Sequence, residues 1–205
     1  FAREAAEEGI VLLKNEGLLP LKKDTKIALL GIGAEKTIKG GTGSGDVNNR
    51  QNITIYEGME ESGIRITSRD WLDDYEHRYQ KARLIWKEKI LEEAKHVNNP
   101  FDAYASNPFI MPEGRPVSEM DIQEAEIVVY VISRISGEGK DRRLEKGDYY
   151  LSEREEKDIL FSDFGSGVPE GERNNMLFKF LQRLRKEGTT IEEARAAALD
   201  FCQEC

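Results

Sequence analysis

A carboxylate set between two glycines follows an apolar run. Ile127-Val-Val-Tyr-Val-Ile132 leads into Ser136-Gly-Glu-Gly-Lys-Asp-Arg142, with Glu138 at the centre. A Val/Ile run reads as a buried strand of a parallel sheet, and ligands gather at the carboxyl ends of such sheets. Glycine on both sides lets the backbone turn tightly and lets a substrate approach closely. Glu138 is therefore placed to act on a bound ligand, the plainer alternative being a charged turn. A second stretch, Lys39-Gly-Gly-Thr-Gly-Ser-Gly-Asp46, follows the apolar run Lys26-Ile-Ala-Leu-Leu-Gly31. Gly31-Ile-Gly33 begins like a dinucleotide fingerprint, but Lys36 stands where its third glycine belongs. A phosphate-cradling loop would end in Gly-Lys-Ser/Thr, whereas Gly45 is followed by Asp46, which repels phosphate. Thr42, Ser44, Asp46 and Asn48 instead offer hydroxyls, a carboxylate and an amide to a neutral, hydroxyl-rich ligand. Sugars are such ligands; a polar spacer is the alternative.

The elements that must carry these loops can be read from periodicity. Residues 2–14 have apolar positions at helical spacing with acidic residues toward the start, which predicts an amphipathic helix ended by Asn15-Glu-Gly17. Residues 26–31 predict a buried strand, 52–63 a short helix and 64–66 a second short strand. From residue 70 to 97, Trp71, Tyr75, Tyr79, Ala82, Trp86 and Ile90 recur every three or four residues, which predicts a long helix. Its aromatic stripe reads as a packing face. Residues 98–116 hold several prolines and no period and read as a loop. A short helix over 119–126 enters the strand at 127–132, and another helix begins at Glu153. Strands alternating with helices predict an α/β fold with a mostly parallel sheet. No further apolar strand follows Glu153, so the sheet is short of strands. Gly165-Ser-Gly-Val-Pro169 reads as a joint, followed by two helices over about 174–186 and 191–203. Thr190 and Glu193 hold the capping-box spacing. The expected division is two modules, 1–160 and 161–205.

Composition narrows the classes. A chain of 205 residues can bury one proper core. A net charge of −9 argues against a general nucleic-acid partner, which calls for a basic face. Charged residues make up 34% of the chain and no apolar run reaches the roughly 20 residues that span a bilayer, so no membrane partner is expected. Cys202 and Cys205, the only cysteines, provide no disulfide framework. Neither they nor His77 and His96 carry a neighbouring ligand set, so no metal and no cofactor is expected. The chain lacks a signal peptide and an initiator methionine and opens in mid-helix. It reads as a soluble piece of something longer whose true N-terminus is missing; the compartment is not fixed, a cytoplasmic one being favoured over secretion.

Three stretches, in order, resemble one family. They are Ala5-Ala-Glu-Glu-Gly-Ile-Val-Leu-Leu-Lys-Asn-Glu16, Lys39-Gly-Gly-Thr-Gly-Ser-Gly-Asp46, and Ile132-Ser-Arg-Ile-Ser-Gly-Glu-Gly-Lys-Asp-Arg142 with Lys146-Gly-Asp148. Through them residues 1–160 resemble the first half of the C-terminal α/β-sandwich domain of glycoside hydrolase family 3, the β-glucosidase family. The resemblance implies a truncated three-layer αβα sandwich and a β-glucoside or oligosaccharide substrate. It places the family's general acid/base at Glu138 and a substrate contact at Ser44, with Thr42 and Asp46 in the same substrate-binding loop. A retaining glycosidase uses two carboxylates roughly 5 to 5.5 Å apart, a nucleophile and an acid that later serves as base. That acid must keep its proton near neutral pH, so Lys140, Arg142 and Arg143 are expected to point outward or to substrate.

In the family the nucleophile is an aspartate on a (β/α)₈ barrel that precedes this domain, so such a barrel is the expected upstream partner. The isolated chain is expected to be inactive for want of that nucleophile. Residues 168–205 resemble, more weakly, the helical C-terminal region of phage and plasmid primases, although their acidic residues outnumber the basic ones. The other reading is thus a non-catalytic sugar-contacting or partner-binding module with a primase-like helical tail.

Overall fold

The computed structural model describes residues 1–41, 50, 52–137 and 141–165. In chain order its elements are α1 (Ala2–Gly9), β1 (Lys26–Leu30), α2 (Ile55–Glu61), β2 (Arg65–Ile66), α3 (Arg69–Glu93), α4 (Pro100–Ser106), α5 (Glu119–Ile122), β3 (Ile127–Tyr130) and α6 (Glu153–Gly165). The three strands form one parallel sheet in the order β2-β1-β3. The first crossover runs one way across the sheet and the second runs back. With the right-handed connections of parallel pairs, that puts α2 and the α3–α5 stretch on opposite faces. This is the expected αβα arrangement. The helical hairpin expected beyond residue 165 lies outside the described residues.

The central strand sets the core. Ile27, Ala28, Leu29 and Leu30 are fully buried, and Trp71, Leu72, Tyr75 and Ile122 pack with them. An unbroken apolar run is what a strand covered on both faces needs. The pairing of β1 with β3 runs Ile27 with Ile127 through Leu30 with Tyr130, and continues one residue further as Val131 N donates to Leu30 O at 2.8 Å. On the other side β2 is only two residues long. Thr67 N bonds Ile27 O at 2.8 Å, and the buried Ser68 hydroxyl then replaces the ladder. It accepts from Leu29 N at 2.8 Å and donates to Leu29 O at 2.7 Å.

The aromatic stripe of α3 is a packing face. Trp71 stacks on Tyr75 with centroids 5.8 Å apart, while Tyr79 and Trp86 both meet Phe109 edge-on at 5.4 and 5.6 Å. Trp71 Nε1 donates to Arg115 O at 3.1 Å. Gly114 lies so close to the Trp71 ring that any side chain there would collide with it.

Three expectations are corrected. The first helix stops at Gly9, where Ile10 turns extended, and Ile10, Val11, Leu12 and Leu13 are exposed. Glycine weakens the helix end and the β-branched pair beyond it prefers extended backbone. Asn15 ends no helix; its side chain instead folds the following turn, accepting from Gly17 N and Leu19 N. The stretch read as a loop contains α4, which starts with proline in its first turn, while the Asn99 side chain accepts from Phe101 N. The helix predicted over 119–126 is a single turn: a capping box between Ser118 and Asp121 opens it, and it ends at Gln123 before the chain enters β3.

Ser68→Ala leaves both Leu29 backbone groups buried without their partner. It should lower the unfolding free energy by about 2 kcal/mol, measured by urea titration at neutral pH. A loss within error of zero would mean that β1 does not depend on this hydroxyl.

Candidate active site

Both predicted site loops leave adjacent parallel strands at the same end, and glycines hold their first residues together. Gly31 has a φ of +90° and its missing Cβ would run into the Val131 backbone. A Cβ on Gly33 would stand 2.8 Å from Val131 Cγ1 and 2.9 Å from Ser133 Cβ. Ten residues after Gly31, a Cβ on Gly41 would stand 2.6 Å from Ser136 O, with Gly137 Cα at 3.7 Å. The two segments thus lie against each other at the strand ends and meet again at the residues just before Thr42 and Glu138. Thr42, Ser44, Asp46 and Glu138 themselves lie outside the described residues, as do Asn48 and Lys140. The fold brings together the stems of the loops that carry them.

The first stem is anchored by Thr37 and Lys36, neither of which carries an anchoring signal in the sequence. Thr37 Oγ1 donates to Gly33 O at 2.8 Å and accepts from Ile55 N at 3.0 Å, which ties the loop to the start of α2. Lys36 pairs with Glu76 and lies over the Tyr79 ring, 4.8 Å from its centroid, which ties the same loop to α3. Burial raises the Glu35 pKa above its ordinary value, Lys36 opposing and Glu76 adding to the shift.

The second stem is organised by Arg134. Its Nε donates to Asp148 O at 2.7 Å, Nη1 to Ser133 O at 2.9 Å and to Glu155 Oε1 at 2.6 Å, and Nη2 to Tyr150 O at 3.2 Å and to Glu155 Oε2. Asp148 is a second post: its carbonyl accepts from Arg142 Nη1 at 3.0 Å and its carboxylate from Arg143 N at 2.9 Å. Arg143 is exposed, as expected, and also pairs with Glu145. Arg142 is half-buried and turned onto Asp148.

Burial pushes the Glu155 carboxyl up, but the Arg134 guanidinium and the Ser152 groups outweigh it and hold the pKa below the usual carboxylate range. Asp158, three residues on, is raised by burial despite accepting from Val117 N at 3.1 Å. Among the described residues no group of His, Cys, Asp and Glu could hold a metal ion, and no helix is long and apolar enough to cross a membrane.

Residues 10–161 match the sequence profile of the glycosyl hydrolase family 3 C-terminal domain. The chain belongs to that family. The family 3 domain is 30% identical over 182 residues to beta-glucosidase A of Butyrivibrio fibrisolvens, covering 75% of this chain and 20% of that protein. It superposes on beta-glucosidase 3B from Thermotoga neapolitana, solved in complex with alpha-D-glucose, with a TM-score of 0.57 and 37% identity over 80% of this chain and 22% of that one. A beta-glucosidase from Paenibacillus barengoltzii shares the fold, with a TM-score of 0.61 at 23% identity over 80% of this chain and 17% of that one. The family 3 domain thus spans about a fifth of the length of these relatives.

Two outcomes are expected from this geometry. Gly41→Ala drives a methyl into the Ser136 carbonyl and should part the two stems. The cost is on the order of 1–3 kcal/mol, read by denaturant titration; an unchanged midpoint would show that the stems are not held in contact. The lowered Glu155 pKa makes its contribution present above the ordinary carboxylate pKa of about 4.3 and lost as pH falls through the lower folded value. Stability should therefore drop below about pH 4, and Glu155→Gln should be weaker at pH 7 with a shallower acid limb. Parallel limbs in a pH series of melts would contradict this.

Proposed function

We propose that this family 3 domain supplies the acid/base half of a retaining β-glucosidase site. Glu138 is the general acid that protonates the leaving oxygen and then the base that activates water. Ser44 contacts the sugar, with Thr42 and Asp46 in the same loop. The nucleophile is a carboxylate of a (β/α)₈ barrel domain that precedes this one in the complete enzyme. Residues 1–160 form the sugar-facing domain and 161–205 a separate helical module.

The observation that carries this reading is the contact of Gly41 with Ser136 and Gly137. It brings the stem of the hydroxyl-bearing loop against the stem of the Glu138 loop, so one bound sugar can meet both. The relatives are named beta-glucosidases, and one was solved with glucose bound. Division of labour between domains follows from the chemistry. The two carboxylates act on opposite sides of one glycosidic bond, and a glycone held between two domains can be reached from each.

The 205-residue chain alone should hydrolyse no aryl β-glucoside. Combined with a family 3 barrel domain, it should restore hydrolysis. Glu138→Gln in that mixture should slow turnover of an alkyl β-glucoside by a factor of about 10²–10⁴, the usual worth of a positioned general acid. A Glu138→Gln mixture as fast as the unaltered one would refute the assignment.

A further inference from the structure

We infer that Arg134 is a positioning residue for the acid/base segment, acting with Glu155 as its anchor on α6. The inference rests on the reading of Glu138 given above. Arg134 stands four residues before Glu138 in sequence, and grips Asp148 O and Tyr150 O, ten and twelve residues after it. One guanidinium therefore closes both ends of the stretch that contains Glu138. Its remaining donors go to its neighbour Ser133 O and, in a bidentate pair, to Glu155. All five N–H groups of a guanidinium are thereby used. Three of those bonds are to main-chain carbonyls, so the side chain fixes backbone, not merely a neighbouring charge.

The brace is held firmly at its far end. Glu155 is almost fully buried in the first turn of α6, where Ser152 N donates to its Oε2 at 2.7 Å and Glu155 N bonds Ser152 Oγ at 3.2 Å. That reciprocal cap fixes the carboxylate before Arg134 meets it. An inner set of bonds repeats the closure, with Arg142 on Asp148 O and Arg143 N on the Asp148 carboxylate. A lysine could replace the charge of Arg134 but not the fork that spans three segments at once. A general acid has to be placed to within a fraction of an ångström of the oxygen it protonates, and a misplacement of about 1 Å costs on the order of 10²-fold in rate.

The test separates positioning from loss of fold by varying the leaving group. In the barrel-domain mixture, Arg134→Gln, Arg134→Lys and Glu155→Gln are assayed on methyl β-glucoside, whose leaving group needs protonation, and on dinitrophenyl β-glucoside, whose leaving group does not. Arg134→Gln should lower kcat/KM on the methyl glucoside by on the order of 10²-fold and kcat/KM on the dinitrophenyl glucoside far less, while kcat and KM on the latter fall together because the base-assisted second step slows. Arg134→Lys should recover only part of the loss. The ratio of the two rates does not depend on how much protein is folded. Equal losses of kcat/KM on both substrates would overturn the positioning role, whatever Glu138→Gln does. If Glu138→Gln itself shows no dependence on leaving group, the acid assignment fails and this inference with it.

A second measurement needs no activity. In the 205-residue chain, trypsin cleavage after Arg142 and Arg143 should rise about tenfold in Arg134→Gln relative to cleavage within α3, as a locally opened segment would. An unchanged ratio would overturn the brace.

Discussion

The pairing of β1 with β3 is the constraint from which the rest of the domain follows. It is a parallel pair, so both strands leave it at the same end, and it joins the fully buried central strand to a partly buried flanking one. Ordinary strands would diverge beyond their last ladder bond, pushed apart by side chains. Here glycines remove the Cβ atoms on one chain, first at Gly31, then at Gly33, then at Gly41, and the other chain closes onto the bare backbone. Beyond the end of the strand pair the two loop stems therefore start side by side and approach again at Gly41 and Ser136. Two loops that are about 95 residues apart in sequence start from one place.

Each loop stem is then tied down by long side chains that reach to a helix. Lys36 takes the first stem to Glu76 and Tyr79 on α3; Arg134 takes the second to Glu155 on α6. These links are charge-assisted and partly buried, the setting in which such bonds are strongest and removal of one partner is most costly. Desolvation opposes every one of them, as the raised pKa of Asp158 shows, since that carboxylate has no bidentate cation close by. Glu155 and Asp121 are shielded from the same fate because a guanidinium meets each carboxylate with two bonds. Among the described residues the buried acids Asp121, Glu155 and Asp158 thus divide by whether an arginine fork reaches them.

Much of this was legible in the sequence where it depended on period and run length. The unbroken apolar stretches gave β1 and β3, and the three- to four-residue spacing from Trp71 to Ile90 gave α3 with its packing face. The loops bearing Glu138 and Ser44 stood out by their glycines. What could not be read is contact between distant main-chain atoms. Arg134 lies inside a stretch singled out for its motif, yet its acceptors are the carbonyls of Asp148 and Tyr150, and a carbonyl has no sequence signature. Gly41 announces a close approach without saying to what. The helix expected over residues 10–13 fails for a different reason: Ile10, Leu12 and Leu13 have helical spacing, but their side chains are exposed and no packing partner holds them in a helix. Periodicity reports which face is apolar, and not whether anything covers it.

The distribution of charge around the second stem bears on what a carboxylic acid there would experience. Arg134, Arg142 and Arg143 all lie within five residues of Glu138 in sequence, and three bare guanidinium groups would favour an ionised acid, the wrong state for protonating a leaving group. In the folded domain each of them is matched: Arg134 by Glu155, Arg142 by Asp148, and Arg143 by Glu145 and Asp148. A matched pair presents a dipole, whose field falls off faster with distance than that of a single charge. The same bonds that close the loop also offset the charge of these three arginines. Rigidity and neutrality are supplied together, and a substitution that frees one arginine disturbs both. For the proposed acid this means that geometry and proton affinity cannot be tuned independently from these positions. A variant that keeps the charge at position 134 but loses the fork, as lysine does, separates the two effects more cleanly than one that removes the charge.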